Sequence, residues 1–147
     1  MKNLYCFVFF LFINQVLFSQ KQNLNLVIFI NDELVEDVYD LNINIDDTEK
    51  FPAKYIIGEL DISPQLRNEI TKQPATIKFS FKSLKKEKIA SVYDSYTISL
   101  SSDYLKRKFV VIRIYNKDDK NYRKKLKKKK IGYDYNIYSD GVYMINI

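Results

Sequence analysis

Apolar residues recur at every second position along most of the chain, which is the period of a half-buried β-strand. The alternation is clear over residues 24–30, 41–45, 77–81 and 98–100, and residues 109–115 are apolar on both faces except Arg113. With residues 53–60, 133–137 and 142–147, the pattern predicts about eight strands. The central strands are expected to bury Phe79, Ile98, Val111 and Ile112.

Helix signals are few and short. Ser63-Pro64 resembles an N-cap followed by a first helical proline, and Ser102-Asp103 could begin a short turn that ends at Lys106. Short strands, frequent turn signals and no crossover helices favour an all-β fold. The expected fold is an antiparallel β-sandwich, immunoglobulin-like or transthyretin-like, with at most one or two short helical turns. A small barrel is the alternative.

The first residues have the three parts of a secretory signal peptide: a charge at Lys2, an apolar run from Leu4 to Ile13, and a small residue at Ser19. The run is about half of the roughly 20 apolar residues that a membrane-spanning helix needs. We therefore expect cleavage before Gln20, no transmembrane anchor in the mature form, and a secreted or periplasmic location. Residues 1–19 are then the signal peptide, and residues 20–147 a single domain.

The composition disfavours most catalytic chemistry. The chain has no histidine, and its one cysteine lies in the predicted signal peptide, so the usual general base and the usual zinc ligands are missing. Its three glycines, Gly58, Gly132 and Gly141, are too scattered for a phosphate-binding loop. We expect no enzyme activity, no metal and no cofactor. The alternative is a small glycan hydrolase that uses Glu33 or Asp46 with a neighbouring carboxylate.

Charge is distributed unevenly: residues 20–69 carry a net charge of −7 and residues 70–147 carry +12. The densest segment, between the strands around Ile112 and Tyr135, holds seven cations in eight residues: Arg123, Lys124, Lys125, Lys127, Lys128, Lys129 and Lys130. These residues are the candidate binding site for an anionic polymer, an envelope component or a protein partner. Alternatively, they are a solvated loop whose lysines keep a sheet edge from pairing. Lysine lacks the bidentate fork of arginine, so sequence-specific nucleic-acid recognition is not expected.

Six of the twelve tyrosines lie near this segment, at positions 115, 122, 133, 135, 138 and 143. Tyrosines beside cations are typical of binding rims, but alternating tyrosines are also ordinary strand residues. The sequence thus predicts an exported, non-catalytic binding or structural module that acts through a basic C-terminal face.

Overall fold

The structure is a computed structural model that describes residues 24–47, 49–72, 74–86, 91–127 and 131–140. The predicted signal peptide and the strand predicted over residues 142–147 lie outside these ranges. Within them the chain forms ten strands: β1 (Asn25–Ile30), β2 (Glu33–Leu34), β3 (Tyr39–Ile45), β4 (Glu49–Pro52), β5 (Lys54–Ile56), β6 (Glu59–Asp61), β7 (Thr76–Lys86), β8 (Ser91–Ser101), β9 (Phe109–Asn116) and β10 (Tyr133–Ser139).

The predicted all-β sandwich is confirmed. One sheet has the strand order β10-β9-β1-β2, the other has the order β4-β3-β7-β8, and β5 and β6 form a separate hairpin. The described strands do not close into a barrel. Ten strands replace the expected eight partly because residues 53–60 fold back at Gly58, whose φ of +81° suits a tight turn that most residues would not adopt.

Strand pairing is antiparallel throughout the described sheets except between β1 and β9, which run parallel with Leu26 opposite Val110 and Ile28 opposite Ile112. The chain leaves β1, builds the second sheet and returns as β9 in the same direction. Such a parallel pair requires a long crossover, here supplied by the whole second sheet. Alternation along a strand reveals which residues share a face but not which strand lies beside them, so this pairing was not predicted.

The core lies between the inner faces of the two sheets. Phe79, Ile98 and Ile112 are at most 1% exposed, as predicted. The prediction for Val111 was wrong: it is only half-buried, because it lies on the outer face of β9 between Val27 and Tyr138.

Two short helical elements confirm the helix predictions. Helix α1 (Pro64–Lys72) begins where the Ser63 hydroxyl accepts a hydrogen bond from the Leu66 amide at 3.1 Å, and it buries Leu66 and Ile70. A 3₁₀ helix spans Ser102–Lys106 and is capped by Ser101, one residue before the predicted position. Together with the β5–β6 hairpin, α1 contributes Leu66 and Leu60 to the continuous apolar core.

Candidate functional site

The basic segment lies in the connection between β9 and β10, as the sequence predicted. The ends of this connection are held together: Asn116 is opposite Tyr133 in the sheet, and the Lys117 amide donates to the Gly132 carbonyl at 2.8 Å. The connection therefore leaves from and returns to one point at the end of the sandwich.

Part of the segment is helical instead of a loop. Helix α2 (Arg123–Leu126) follows a turn in which the Asp119 carboxylate accepts the Asn121 amide at 2.8 Å and the Asp119 carbonyl accepts the Arg123 amide at 2.9 Å. Leu126 is the buried side chain of α2 and anchors it to the protein. The cations of α2 consequently project from an anchored turn.

The turn after β1 contacts both ends of the segment that leads into α2. Asn31 and Asp32 form the turn after β1 with φ values of 51° and 65°, the left-handed pair that suits a tight hairpin. The Asn31 side chain accepts the Asn116 amide at 2.7 Å. Asp32 accepts a hydrogen bond from the Tyr122 hydroxyl and forms an ion pair with Arg113 at 3.2 Å. Asp32 is thus a positioning residue for the segment that leads into α2.

Tyr122 is fixed by two further interactions. Its ring packs on that of Tyr115 with centroids 4.6 Å apart. The hydrogen bond to Asp32 raises the pKa of Tyr122 to about 12, so its hydroxyl remains a donor even near pH 10, where an unperturbed tyrosine is half ionised. The residue immediately before α2 is therefore held through both its ring and its hydroxyl.

A cleft of about 1080 Å³ opens beside α2. Arg123, Lys124 and Lys127 line one side of it, and we call these three residues the basic wall. Asp94 and Asp118 also line the cleft, so its charge is mixed with an excess of cations. From β8, Ser95 and Tyr96 also line the cleft.

The floor of the cleft is aromatic and neutral. Tyr96 is 3% exposed, and its hydroxyl lies 2.9 Å from the Asn116 amide nitrogen. Its ring contacts the Tyr133 ring edge-on, with centroids 5.1 Å apart. Burial raises the pKa of Tyr96 to about 12, so this hydroxyl stays uncharged even near pH 10, where an unperturbed tyrosine is half ionised.

Two tyrosines of β10 connect this region to the edge of the other sheet. The Tyr133 hydroxyl accepts the Thr97 amide at 2.6 Å and donates to the Thr97 carbonyl at 3.0 Å. The Tyr135 hydroxyl bonds in the same way to Ser99, at 3.1 and 3.3 Å. Both side chains thus satisfy main-chain groups that a neighbouring strand would otherwise pair. These tyrosines are structural.

The sequence-predicted cations are divided by the structure. Arg123, Lys124 and Lys127 line the cleft, whereas Lys125 is exposed on α2 and does not. Lys128, Lys129 and Lys130 lie outside the described residues. Sequence reasoning missed the floor, because Tyr96 occupies an alternating strand position that reads as ordinary core, and Asn116 has no distinguishing spacing.

The carboxylates of the alternative hydrolase hypothesis lie apart from one another. Asp46 accepts the Thr76 amide at 2.9 Å in the turn after β3, and neighbouring Asp47 pairs with Lys78 at 2.6 Å. Glu33 lies on β2, in a second, acid-rich cleft of about 720 Å³ on the other side of Tyr96 and Asn116. Its acidic lining residues are Glu33, Glu36, Asp37, Asp94, Asp118 and Asp119.

Among the residues that the structure describes, no group of three or more carboxylate, histidine or cysteine side chains is arranged to hold a metal ion. Neither α1 nor any other described helix has the length and apolarity to cross a bilayer. No protein-family model, curated protein or solved structure matches this chain.

Proposed function

We propose that the protein is an exported, non-catalytic binding module that engages an anionic partner through the basic wall and the remaining cations of residues 123–130. The observation that carries this proposal is the exposure of four cations that have no acidic partner in the part of the chain that the structure describes: Arg123, Lys124, Lys125 and Lys127. All four are exposed, and within the described ranges none of them forms an ion pair. Cations left without internal partners remain available to an external anion.

The anchoring of α2 supports the proposal further. A solvated loop that only guards a sheet edge needs no fixed geometry. Here the turn at Asp119, the Tyr122–Asp32 hydrogen bond and the buried Leu126 side chain hold α2 in place. A fixed group of cations loses less conformational entropy when it binds a ligand than a mobile one does.

The neighbouring charges limit where an anion binds. The second cleft, beyond Tyr96 and Asn116, is acid-rich and repels anions. An anionic ligand is therefore directed to the side of the floor that carries the basic wall. Export, inferred from residues 1–19, would bring this surface to envelope or extracellular anions.

Retention on a sulfated-polysaccharide column, measured against salt concentration, tests the proposal. The variant Arg123→Gln, Lys124→Gln, Lys127→Gln should elute at clearly lower salt than the wild type, because exposed charge contacts weaken steeply as salt rises. The control variant Lys50→Gln, Lys54→Gln, Arg107→Gln removes the same number of exposed charges elsewhere and should elute near the wild type.

Two outcomes would contradict the proposal. If both variants shift equally, retention follows net charge and the basic wall has no special role. If neither variant shifts, the basic wall does not contribute to retention. Both variants should keep the wild-type free energy of unfolding within about 0.5 kcal/mol, since surface substitutions rarely change it more.

A further inference from the structure

The outer edge of β8 has two sections that differ in how their main-chain groups are satisfied. Thr97 and Ser99 point their N–H and C=O groups away from β7, and the hydroxyls of Tyr133 and Tyr135 bond to them. Because β7 and β8 pair without interruption along their length, Tyr93 and Ser95 point their main-chain groups the same way. In the described part of the chain, no strand or side chain pairs with them there. We call Tyr93–Ser95 the open edge.

The opposite edge of the same sheet is protected against pairing. The alternation of hydrogen bonds across the sheet turns the main-chain groups of Lys50 and Pro52 in β4 outward. Proline offers no N–H, and lysine disfavours the approach of another strand, so this edge resists added strands. The open edge carries neither residue at its outward positions. It therefore has the main-chain groups that an added strand requires.

The open edge is also held in a regular strand conformation. Tyr93 lies opposite Leu84 of β7, and its ring contacts the Tyr39 ring edge-on with centroids 5.2 Å apart. Its side chain is nevertheless 47% exposed. Because the strand is already formed, a partner need not order it upon binding.

The open edge adjoins the basic wall at Ser95, whereas Asp94 lines both the cleft beside α2 and the acid-rich second cleft. Asp94, Ser95 and Tyr96 line the same cleft as Arg123, Lys124 and Lys127. A chain that pairs with Ser95 would therefore extend into the cleft and place its side chains near the three cations. Carboxylates are the peptide side chains that complement such a wall.

We propose that the open edge binds an extended, acidic peptide segment of a partner protein, which adds to β8 as a further strand and places carboxylates against Arg123, Lys124 and Lys127. Main-chain hydrogen bonds at Tyr93 and Ser95 supply part of the affinity, and the basic wall selects the acidic sequence. The inference deepens the proposed function, because it rests on the same basic wall and names the partner class. A polysaccharide or polyphosphate would use the wall but has no peptide backbone with which to pair.

Fluorescence anisotropy of the protein purified from producing cells, with three labelled peptides, tests the inference. The first peptide alternates Glu and Thr, the second has the same sequence with N-methyl groups at alternate amides, and the third replaces Glu with Gln. The N-methylated peptide keeps every charge but cannot complete a ladder. We expect it and the Gln peptide each to bind roughly tenfold or more weakly than the first.

A pair of protein variants locates the binding. Ser95→Pro removes an outward N–H without touching the pairing with β7, whereas Ser95→Ala keeps that N–H. Ser95→Pro should lose affinity for the acidic peptide roughly tenfold, and Ser95→Ala should match the wild type. Equal melting temperatures show that both variants are folded, and the peptide comparison on the wild type does not depend on either variant.

The outcomes separate the inference from the proposed function. Equal binding of the N-methylated and unmodified acidic peptides overturns strand addition but leaves anion binding intact. Retention on the sulfated matrix without any peptide binding does the same. If the wild-type protein neither stays on the sulfated matrix nor binds the acidic peptide, both the proposed function and the strand-addition inference are overturned. Light scattering gives a further outcome. If the wild-type protein is a dimer, Ser95→Pro is a monomer and neither binds the peptide, then the edge pairs with a second copy of this chain and the acidic-partner inference is overturned.

Discussion

The two ends of the sandwich are built from different interactions. At the end that carries α1, which we call the closed end, Leu60, Leu66 and Ile70 join the core. Beside β1, the Tyr55 hydroxyl accepts a hydrogen bond from the Ile28 amide at 3.3 Å and donates one to the Val35 carbonyl at 3.1 Å. At the open end, polar pairs such as Tyr122–Asp32 and Tyr96–Asn116 hold the β9–β10 connection, and Leu126 is buried outside the continuous core. We therefore expect the closed end to contribute most of the free energy of unfolding. The polar pairs at the open end, which carries the β9–β10 connection, should mainly fix the position of α2.

The largest effect that would test this comparison comes from shortening one leucine at each end. Leu66→Ala should lower the free energy of unfolding by about 2–5 kcal/mol, because Leu66 is fully buried in the core and its removal leaves a cavity. Leu126→Ala, the matched change in α2, should have a clearly smaller global effect. Urea denaturation measures both. Equal losses would mean that α2 is as integral to the fold as α1.

The next effect is a loss of stability at high pH that arises at the open end. Burial raises the pKa of Tyr96 from 10.0 to about 12, so the unfolded chain loses this proton at lower pH than the folded protein does. The contribution of Tyr96 to stability is therefore complete below pH 10 and declines as pH rises from 10 to 12, by at most about 2–3 kcal/mol.

Urea denaturation at intervals across this range measures the decline. Tyr96→Phe has no titrating hydroxyl and should show a shallower decline than the wild type. The same slope in both proteins would mean that Tyr96 is not protected from ionisation.

The smallest effect sharpens the comparison at α2 itself. Tyr122→Phe removes the hydroxyl that bonds to Asp32 but keeps the ring that packs on Tyr115. We expect little change in global stability, with amide exchange in residues 123–126 roughly tenfold faster, since local opening no longer breaks that bond. Tyr115→Phe keeps its ring contact and is the control. Unchanged exchange in Tyr122→Phe would remove Asp32 from its positioning role.

The sequence predicted the elements of the fold better than their arrangement. Alternation identified Phe79, Ile98 and Ile112 as core because period two reports which residues share a face. It misassigned Val111, since a strand apolar on both faces does not show which face meets the other sheet. Nothing local indicated that β9 returns beside β1.

The candidate site was predicted only in part. A run of like charges must remain solvated, which correctly located Arg123, Lys124 and Lys127 at the surface. The cleft that they line depends on Tyr96 and Ser95, which lie about thirty residues earlier in the sequence. Such a juxtaposition follows from the packing of the two sheets and has no sequence signal of its own.

The hydroxyl caps of Tyr133 and Tyr135 make an ordinarily conservative exchange consequential. Phenylalanine would preserve the ring, its volume and its contacts at either position, so side-chain packing would change very little. Each exchange would nevertheless release one N–H and one C=O of β8. The two together would extend the unpaired edge from Tyr93 through Ser99. Two hydroxyl oxygen atoms therefore determine how much of the β8 edge is available for self-association. We expect sequence changes at positions 133 and 135 to be limited by the solubility of the protein more than by its folding.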